Sequence, residues 1–379
     1  MIRIYTGSIL WQMKKIDTRS TGTRVLKRMN TVHLFHNAVS MIKHEVPEGF
    51  PERPERLAAV TAALKTSGLW SACQPTSIDA VSEDIFVKHY GAEEVARWKT
   101  MVVKAADKVI QDDVSGDIYW SAGSLEAIST AANAAITAVK TVLSKRATIE
   151  YAFCVLRPPG HHCFQTPAGF CTVNNIALAA QEALDQGKRV AILDWDYHFG
   201  DGTAETFLDN PNVMFCSLHC AKDRRRQMTY PIHPLKGDLL AEKTGGRMFN
   251  IQWAKDDADN AAYAYAFQKA ILPALRRFSA DIILVSAGYD ALKGDDLAGM
   301  ELTAPVFQHI TKALVSLQVP VVCVMEGGYN TELLSQGVVE TVRGLLEKGS
   351  DDLATLGASV KDSHKKVVDA VAPANLYVS

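Results

Sequence analysis

Arg189-Val-Ala-Ile-Leu-Asp194-Trp-Asp196-Tyr-His198-Phe-Gly-Asp201 holds a strand and, directly after it, a cluster of ionisable residues. The uninterrupted Val-Ala-Ile-Leu run reads as a strand covered on both faces, the pattern of a parallel sheet. Six further short apolar runs share that character: Val32–Phe35, Tyr151–Leu156, Val213–Leu218, Met248–Ile251, Asp281–Ser286 and Val319–Met325. Ala/Leu-rich stretches with helical periodicity lie among them, at Ser124–Ser144, Asn174–Gln186, Ala261–Phe278, Ala304–Leu317 and Thr331–Leu346. Strands separated by helices predict an α/β fold, with a central parallel β-sheet flanked by helices on both faces. Ligands of such sheets bind beyond the carboxyl ends of the strands. The residues at 194–201 therefore belong to a working edge.

Composition agrees with an ordinary globular domain. The 379 residues are 47% hydrophobic and 22% charged, with 40 Lys+Arg against 42 Asp+Glu. That balance excludes disorder and a disulfide scaffold, and it gives no reason to expect direct nucleic-acid binding. No apolar run approaches the roughly 18 residues of a membrane helix, so no membrane association is expected. Seven cysteines at 73, 154, 163, 171, 216, 220 and 323 include no C-x-x-C pair and read as reduced, buried thiols of an intracellular protein. Residues 1–30 carry seven Lys/Arg and one Asp without an apolar core, so a secretory signal is not expected. They read as a basic, flexible extension, with a mitochondrial-type presequence as the alternative. One domain over 31–360 follows, and 361–379 reads as a tail or a final packing segment.

Four other strand ends deliver polar residues to the same edge. Arg157-Pro-Pro-Gly-His161-His162 follows one strand, Ser217-Leu-His219 closes another, Asp290 follows a third and Glu326-Gly-Gly-Tyr329 the last. Asp196 and His198 at i and i+2, joined by Asp290, make two carboxylates and an imidazole. Such a set suits Zn²⁺, and also Fe²⁺, Co²⁺ or Mn²⁺, with a position left open for water and substrate. A lone Asp is as readily a cap or turn residue; the convergence of three residues on one edge favours a metal site. His161-His162 supplies a base near neutrality, and Asp194 and Asp201 flank the metal motif as orienting partners. Tyr329, after two glycines, can donate to a developing oxyanion, and Phe170 can wall a pocket. No G-x-S-x-G, H-E-x-x-H, P-loop or strand-linked G-x-G-x-x-G occurs. What remains is equipment for metal-assisted amide hydrolysis.

These blocks resemble the signatures of the zinc-dependent histone deacetylases: Arg157-Pro-Pro-Gly-His-His162, Gly169-Phe-Cys-x-x-Asn-Asn175, Asp194-x-Asp-x-His198, Ser286-Ala-Gly-Tyr-Asp-Ala291 and Glu326-Gly-Gly-Tyr329. The similarity runs from about Val32 to Leu346 and takes in Pro51-Glu-Arg-Pro-Glu-Arg56; the Glu-Gly-Gly-Tyr block and Asn250-Ile-x-Trp253 are class II-like. It implies the arginase/deacetylase fold and hydrolysis of N-acetyl-lysine on an acetylated protein, a histone tail or another target. It further implies chromatin regulation, a corepressor-type complex, and a nuclear or cytoplasmic setting. Asp196, His198 and Asp290 would hold one Zn²⁺. His162 would be general base and acid near Asp201, Asp194 would partner His161, and Tyr329 would polarise the carbonyl. Phe170 would line the acyl-lysine channel opposite Tyr230. The resemblance also implies structural K⁺ at Asp194, Asp196, His198, Ser217 and Leu218, and a second K⁺ at Phe207, Asn210, Val213 and Phe249.

The chain departs from the pattern in two places. Phe199 stands where the family usually has a second histidine, and Tyr230-Pro-Ile-His-Pro234 after Arg224-Arg225-Arg226 replaces a Phe-Pro-Gly-x-Gly rim. Acetylpolyamine amidohydrolases share the site, but members specific for polyamines resemble this chain with Glu at the position of Leu297, where a carboxylate would pair with a dication. A silent acyl-lysine-binding scaffold is the reading from a different class, and the complete metal, base and phenol sets speak against it.

Overall fold

The computed structural model describes residues 29–144, 148–223, 228–229, 244–348 and 352–372. Eight strands form one sheet: β1 (Val32–His36), β2 (Gln74–Ser77), β3 (Tyr151–Val155), β4 (Val190–Asp194), β5 (Val213–Cys220), β6 (Met248–Trp253), β7 (Ile282–Ala287) and β8 (Val321–Met325). Their order across the sheet is β6-β5-β4-β7-β8-β3-β1-β2, and every pairing is parallel. β3, β4, β5, β7 and β8 are buried at every residue. Successive side chains point to opposite faces, so complete burial requires cover on both. Helices Ser124–Ser144 and Asn175–Asp185 pack on one another, as do Glu55–Thr66, Pro305–Val315 and Thr331–Leu346. A second, smaller core gathers Phe86, Trp98, Trp120, Ile128 and Ile136 beside the main one.

All seven strands expected from the apolar runs form, with ends shifted by a residue or two. The eighth, β2, escaped the reading because Gln-Pro-Thr-Ser is polar, exposed and interrupted by proline. Proline is tolerated there because β2 is an edge strand. The stretch expected as one helix over Ala261–Phe278 contains a π turn, Phe267–Ile271, between Asn260–Ala266 and Leu272–Phe278. Pro273 follows that turn; lacking an N–H and crowding the carbonyl four residues back, it is badly served by unbroken α geometry. In the stretch read as a tail, Asp362–Val371 forms a helix that buries His364 and Val368 and packs against β6. The residues 1–28 and 373–379 lie outside the described set. No helix among the described residues is long and apolar enough to cross a membrane.

Candidate active site

Because the strands are parallel and central, the polar segments leaving β3, β4, β5, β7 and β8 meet at one edge. Asp196, His198 and Asp290 each present a ligand atom within 4.8 Å of the others, and all three are buried. Asp290 takes the Tyr197 N–H on Oδ1 at 2.8 Å, and Asp196 takes the Gly327 N–H on Oδ2 at 2.9 Å. The other Asp290 oxygen is buried without a hydrogen bond, 3.0 Å from Nδ1 of His198. Burial and the neighbouring Asp196 charge push the Asp290 carboxyl up to about 7. Two buried carboxylates, one with an orphaned oxygen, aimed at an imidazole nitrogen are the donor set a divalent cation satisfies. At Gly327 a Cβ would lie 2.6 Å from an oxygen of both Asp196 and Asp290, so only glycine allows the last strand to approach this cluster.

The two histidines sit side by side, ring centroids 4.2 Å apart, in the turn after Pro158-Pro159. Nδ1 of His161 bonds Asp194 at 2.9 Å, and Nδ1 of His162 bonds Asp201 at 2.7 Å. Each carboxylate thus holds one imidazole. The two imidazoles are tuned in opposite directions. Burial opposes charge on His161, but Asp196 and Asp194 outweigh it and lift its pKa to about 10. Burial and the adjacent His161 hold His162 below its ordinary value, against the pull of Asp201. His162 is therefore the neutral member, able to accept a proton. Gly169 lies against it: a Cβ there would fall 2.4 Å from Cδ2 of His162. Glu326 ties the turn to β8 by accepting from the N–H groups of Gly160 at 2.6 Å and His161 at 3.3 Å.

Tyr329 is 4% exposed, and burial, then Asp290 and Asp196, raise its phenol well above the usual range, which keeps it a proton donor. Three residues hold it whose role was not legible in the sequence. Asp295 accepts the N–H groups of Tyr329 at 2.7 Å and Asn330 at 3.0 Å on one oxygen, and those of Leu297 and Ala298 on the other. Arg56 donates from Nε to the Gly328 carbonyl at 2.7 Å and from Nη2 to the Glu326 carbonyl, while its guanidinium stands 5.3 Å over the Tyr329 ring. Glu52 binds Arg56 at 3.0 Å and Arg157 at 2.7 and 2.8 Å. Glu52 and Arg56 of the Pro51–Arg56 motif are thus the buried support behind this edge. Buried and solvated charges look alike in sequence, and only the flanking prolines hinted otherwise.

Phe170 adopts a positive φ of 68° and meets Tyr329 edge-on at 5.6 Å. Leu297 is half-buried, and its N–H shares the Asp295 carboxylate with that of Tyr329, so the two residues are neighbours. Tyr230 and the Arg224–Arg226 stretch lie outside the described residues. Of the residues implied for K⁺, Asp194 and Ser217 pair across β4 and β5, and Leu218 follows in β5. The Ser217 hydroxyl lies 2.8 Å from Nδ1 of His219. Phe207, Asn210 and Val213 form one turn, whereas Phe249 is paired with Cys216 inside the sheet. The side chain that reaches the turn is that of Arg247. Phe199 packs its ring on His219 at 4.8 Å.

Comparison with known proteins agrees with this geometry. Residues 50–345 match the histone deacetylase domain model. The chain is 31% identical to histone deacetylase clr3 of Schizosaccharomyces pombe, over 82% of this chain and 46% of that protein. It is 32% identical to the human polyamine deacetylase HDAC10, over 84% of this chain and 48% of that one. An uncharacterized Synechocystis protein is 33% identical over 82% of this chain and 98% of its own length. The crystal structure of the HDA15 HD domain superposes with a TM-score of 0.76 at 28% identity, covering 90% of this chain and 94% of that one. The chain spans less than half the length of the yeast and human relatives it matches. Fold, site and family model lead to one conclusion: the chain is a member of the histone deacetylase family.

Proposed function

We propose that this chain is a zinc-dependent deacetylase that hydrolyses N6-acetyl-lysine in proteins to lysine and acetate. The observation that carries the reading is the meeting of a three-ligand metal cradle, a neutral carboxylate-oriented histidine and a protonated phenol at one buried edge. A zinc ion held by Asp196, His198 and Asp290 would supply the Lewis acid for the amide carbonyl and acidify a water. His162 accepts the proton of the attacking water and returns it to the departing lysine amine. Asp201 holds its ring in the tautomer that leaves Nε2 free to do so. His161, charged and paired with Asp194, adds a fixed positive charge beside the reacting carbonyl. Tyr329 donates to the acyl oxygen as its charge develops. Phe170 provides an apolar wall for the lysine methylenes. The buried cysteine thiols support an intracellular setting, nuclear or cytoplasmic.

A lysine side chain is favoured over a polyamine because Leu297, beside Tyr329, offers no carboxylate to a distal ammonium. The test is a panel of acetyl-lysine peptides, longer acyl-lysines and acetylated polyamines, assayed with the purified chain and with Leu297→Glu. The parent chain should prefer acetyl-lysine, and the variant should shift towards acetylpolyamine with the chemistry intact. An unchanged preference ratio would remove Leu297 from the channel mouth.

A further inference from the structure

The turn that follows the short helix Asp201–Thr206 brings the main-chain carbonyls of Leu208, Asn210 and Val213, the first residue of β5, within reach of one side chain. Carbonyls collected at the end of a helix carry partial negative charge and need a donor or a cation. Here the donor is covalently attached. Nη1 of Arg247, the residue before β6, donates to the Asn210 carbonyl at 2.6 Å and to the Val213 carbonyl at 2.7 Å, and Nη2 donates to the Leu208 carbonyl at 3.3 Å. The Asn210 and Val213 oxygens are two of those through which the family resemblance implied a second K⁺. We infer that the guanidinium of Arg247 takes the place of that cation, so that the 207–213 turn is held by the chain's own charge and binds no monovalent ion.

The chemistry supports exclusion rather than coexistence. A guanidinium is always charged, is weakly hydrated and presents five N–H donors in a rigid fork. Once two of the strongest acceptors of the turn are committed to it at 2.6 and 2.7 Å, a second cation reaching them would have to sit within a few ångströms of a like charge. Of the other two members of the implied set, Phe207 already accepts the Asn210 N–H on its carbonyl at 3.0 Å, and Phe249 has its backbone in the β5–β6 ladder. The consequence is physical: the segment joining Asp201 to β5, and with it the approach to Ser217, keeps its shape at any potassium concentration. The inference stands whether the chain acts on proteins or on polyamines.

Crystals of the full chain soaked in RbCl provide the test, because rubidium substitutes for potassium and is located by its anomalous scattering. Wild type should show no rubidium in the 207–213 turn, and Arg247→Met should show one against the Asn210 and Val213 carbonyls. A rubidium peak there in wild type, with Arg247 displaced, overturns the inference, as does an empty turn in the variant. Thermal midpoints in KCl and in choline chloride at equal ionic strength supply a second readout. Arg247→Met should lose stability that KCl restores and choline does not, whereas Arg247→Lys should need less of that rescue. Equal potassium dependence in wild type and Arg247→Met would also overturn it.

Discussion

Phe170 and Tyr329 meet edge to face, ring centroids 5.6 Å apart, and the contact continues outward: Phe50 meets Phe170 at 4.9 Å and Tyr119 meets Phe50 at 4.8 Å. Exposure rises along the row, from buried Tyr329 and Phe170 to half-buried Phe50 and Tyr119. Four rings therefore lead from the surface to the phenol. Edge-to-face pairs are favoured by the ring quadrupoles and fix ring orientation as well as position.

Truncating the third ring tests whether this row is the channel wall. Phe50→Ala removes an edge-to-face partner of Phe170 worth about 0.5–1.5 kcal/mol, or roughly a 2- to 10-fold change in an equilibrium. The expected outcome is a KM for an acetyl-lysine peptide raised by about that factor, with kcat nearly constant. Steady-state kinetics on one peptide decide it. Unchanged KM would place Phe50 outside the substrate path.

Asp201→Asn should act through His162. The carboxylate bonds Nδ1 of His162 at 2.7 Å and pulls the imidazole pKa upward against burial and His161. Without that charge the pKa falls further. Activity needs the neutral imidazole and rises as pH climbs through this pKa, so the acid limb of the rate profile should move to lower pH. The ring also loses the partner that fixes its tautomer, and loss of such a partner costs about 10- to 100-fold. A limb that stays in place would mean that another group controls it.

Glu52 offers a stability test of the support behind Tyr329. Burial disfavours its charge, but Arg157 and Arg56 outweigh burial and hold the pKa at about 2, against an ordinary 4.5. The folded value is depressed, so the contribution is present above pH 4.5 and disappears as pH falls towards 2. The gap corresponds to about 3 kcal/mol. Glu52→Gln should destabilise the domain at neutral pH and flatten the acid side of its stability curve. Denaturant midpoints between pH 2 and 7 would show it; parallel curves for the two proteins would contradict it.

The sheet was legible because burial on both faces demands continuous Val/Ile/Leu runs, as in Val190–Asp194 and Val321–Met325. That Asp196, His198, Asp290, His161, His162 and Tyr329 share one edge was legible because each follows such a run. β2 was not, since an edge strand can be polar and carry a proline. Nor were Glu52, Arg56 and Asp295, whose roles depend on burial and on backbone groups that no spacing rule reports. Arg247 reads as an ordinary charged residue until the fold brings three carbonyls to it.

Tyr329→Phe tests the mechanism most directly. The phenol is protonated at any working pH because burial, Asp290 and Asp196 all disfavour its anion. Its backbone N–H is fixed by Asp295 at 2.7 Å, and its ring is bounded by Phe170 and by the Arg56 guanidinium. Phe retains all of these contacts and removes only the hydroxyl. Hydrolysis puts a full negative charge on the acyl oxygen, and a donor aimed there strengthens as the charge grows. The loss should fall on kcat rather than KM. Removing one such donor costs about 10²–10³ in rate, roughly 2.7–4 kcal/mol. Zinc content, measured alongside, should be unchanged, because the Asp196, His198 and Asp290 cradle does not include the hydroxyl. Retention of more than about half the parent kcat would assign the oxyanion to the metal or to another donor and take Tyr329 out of the reaction.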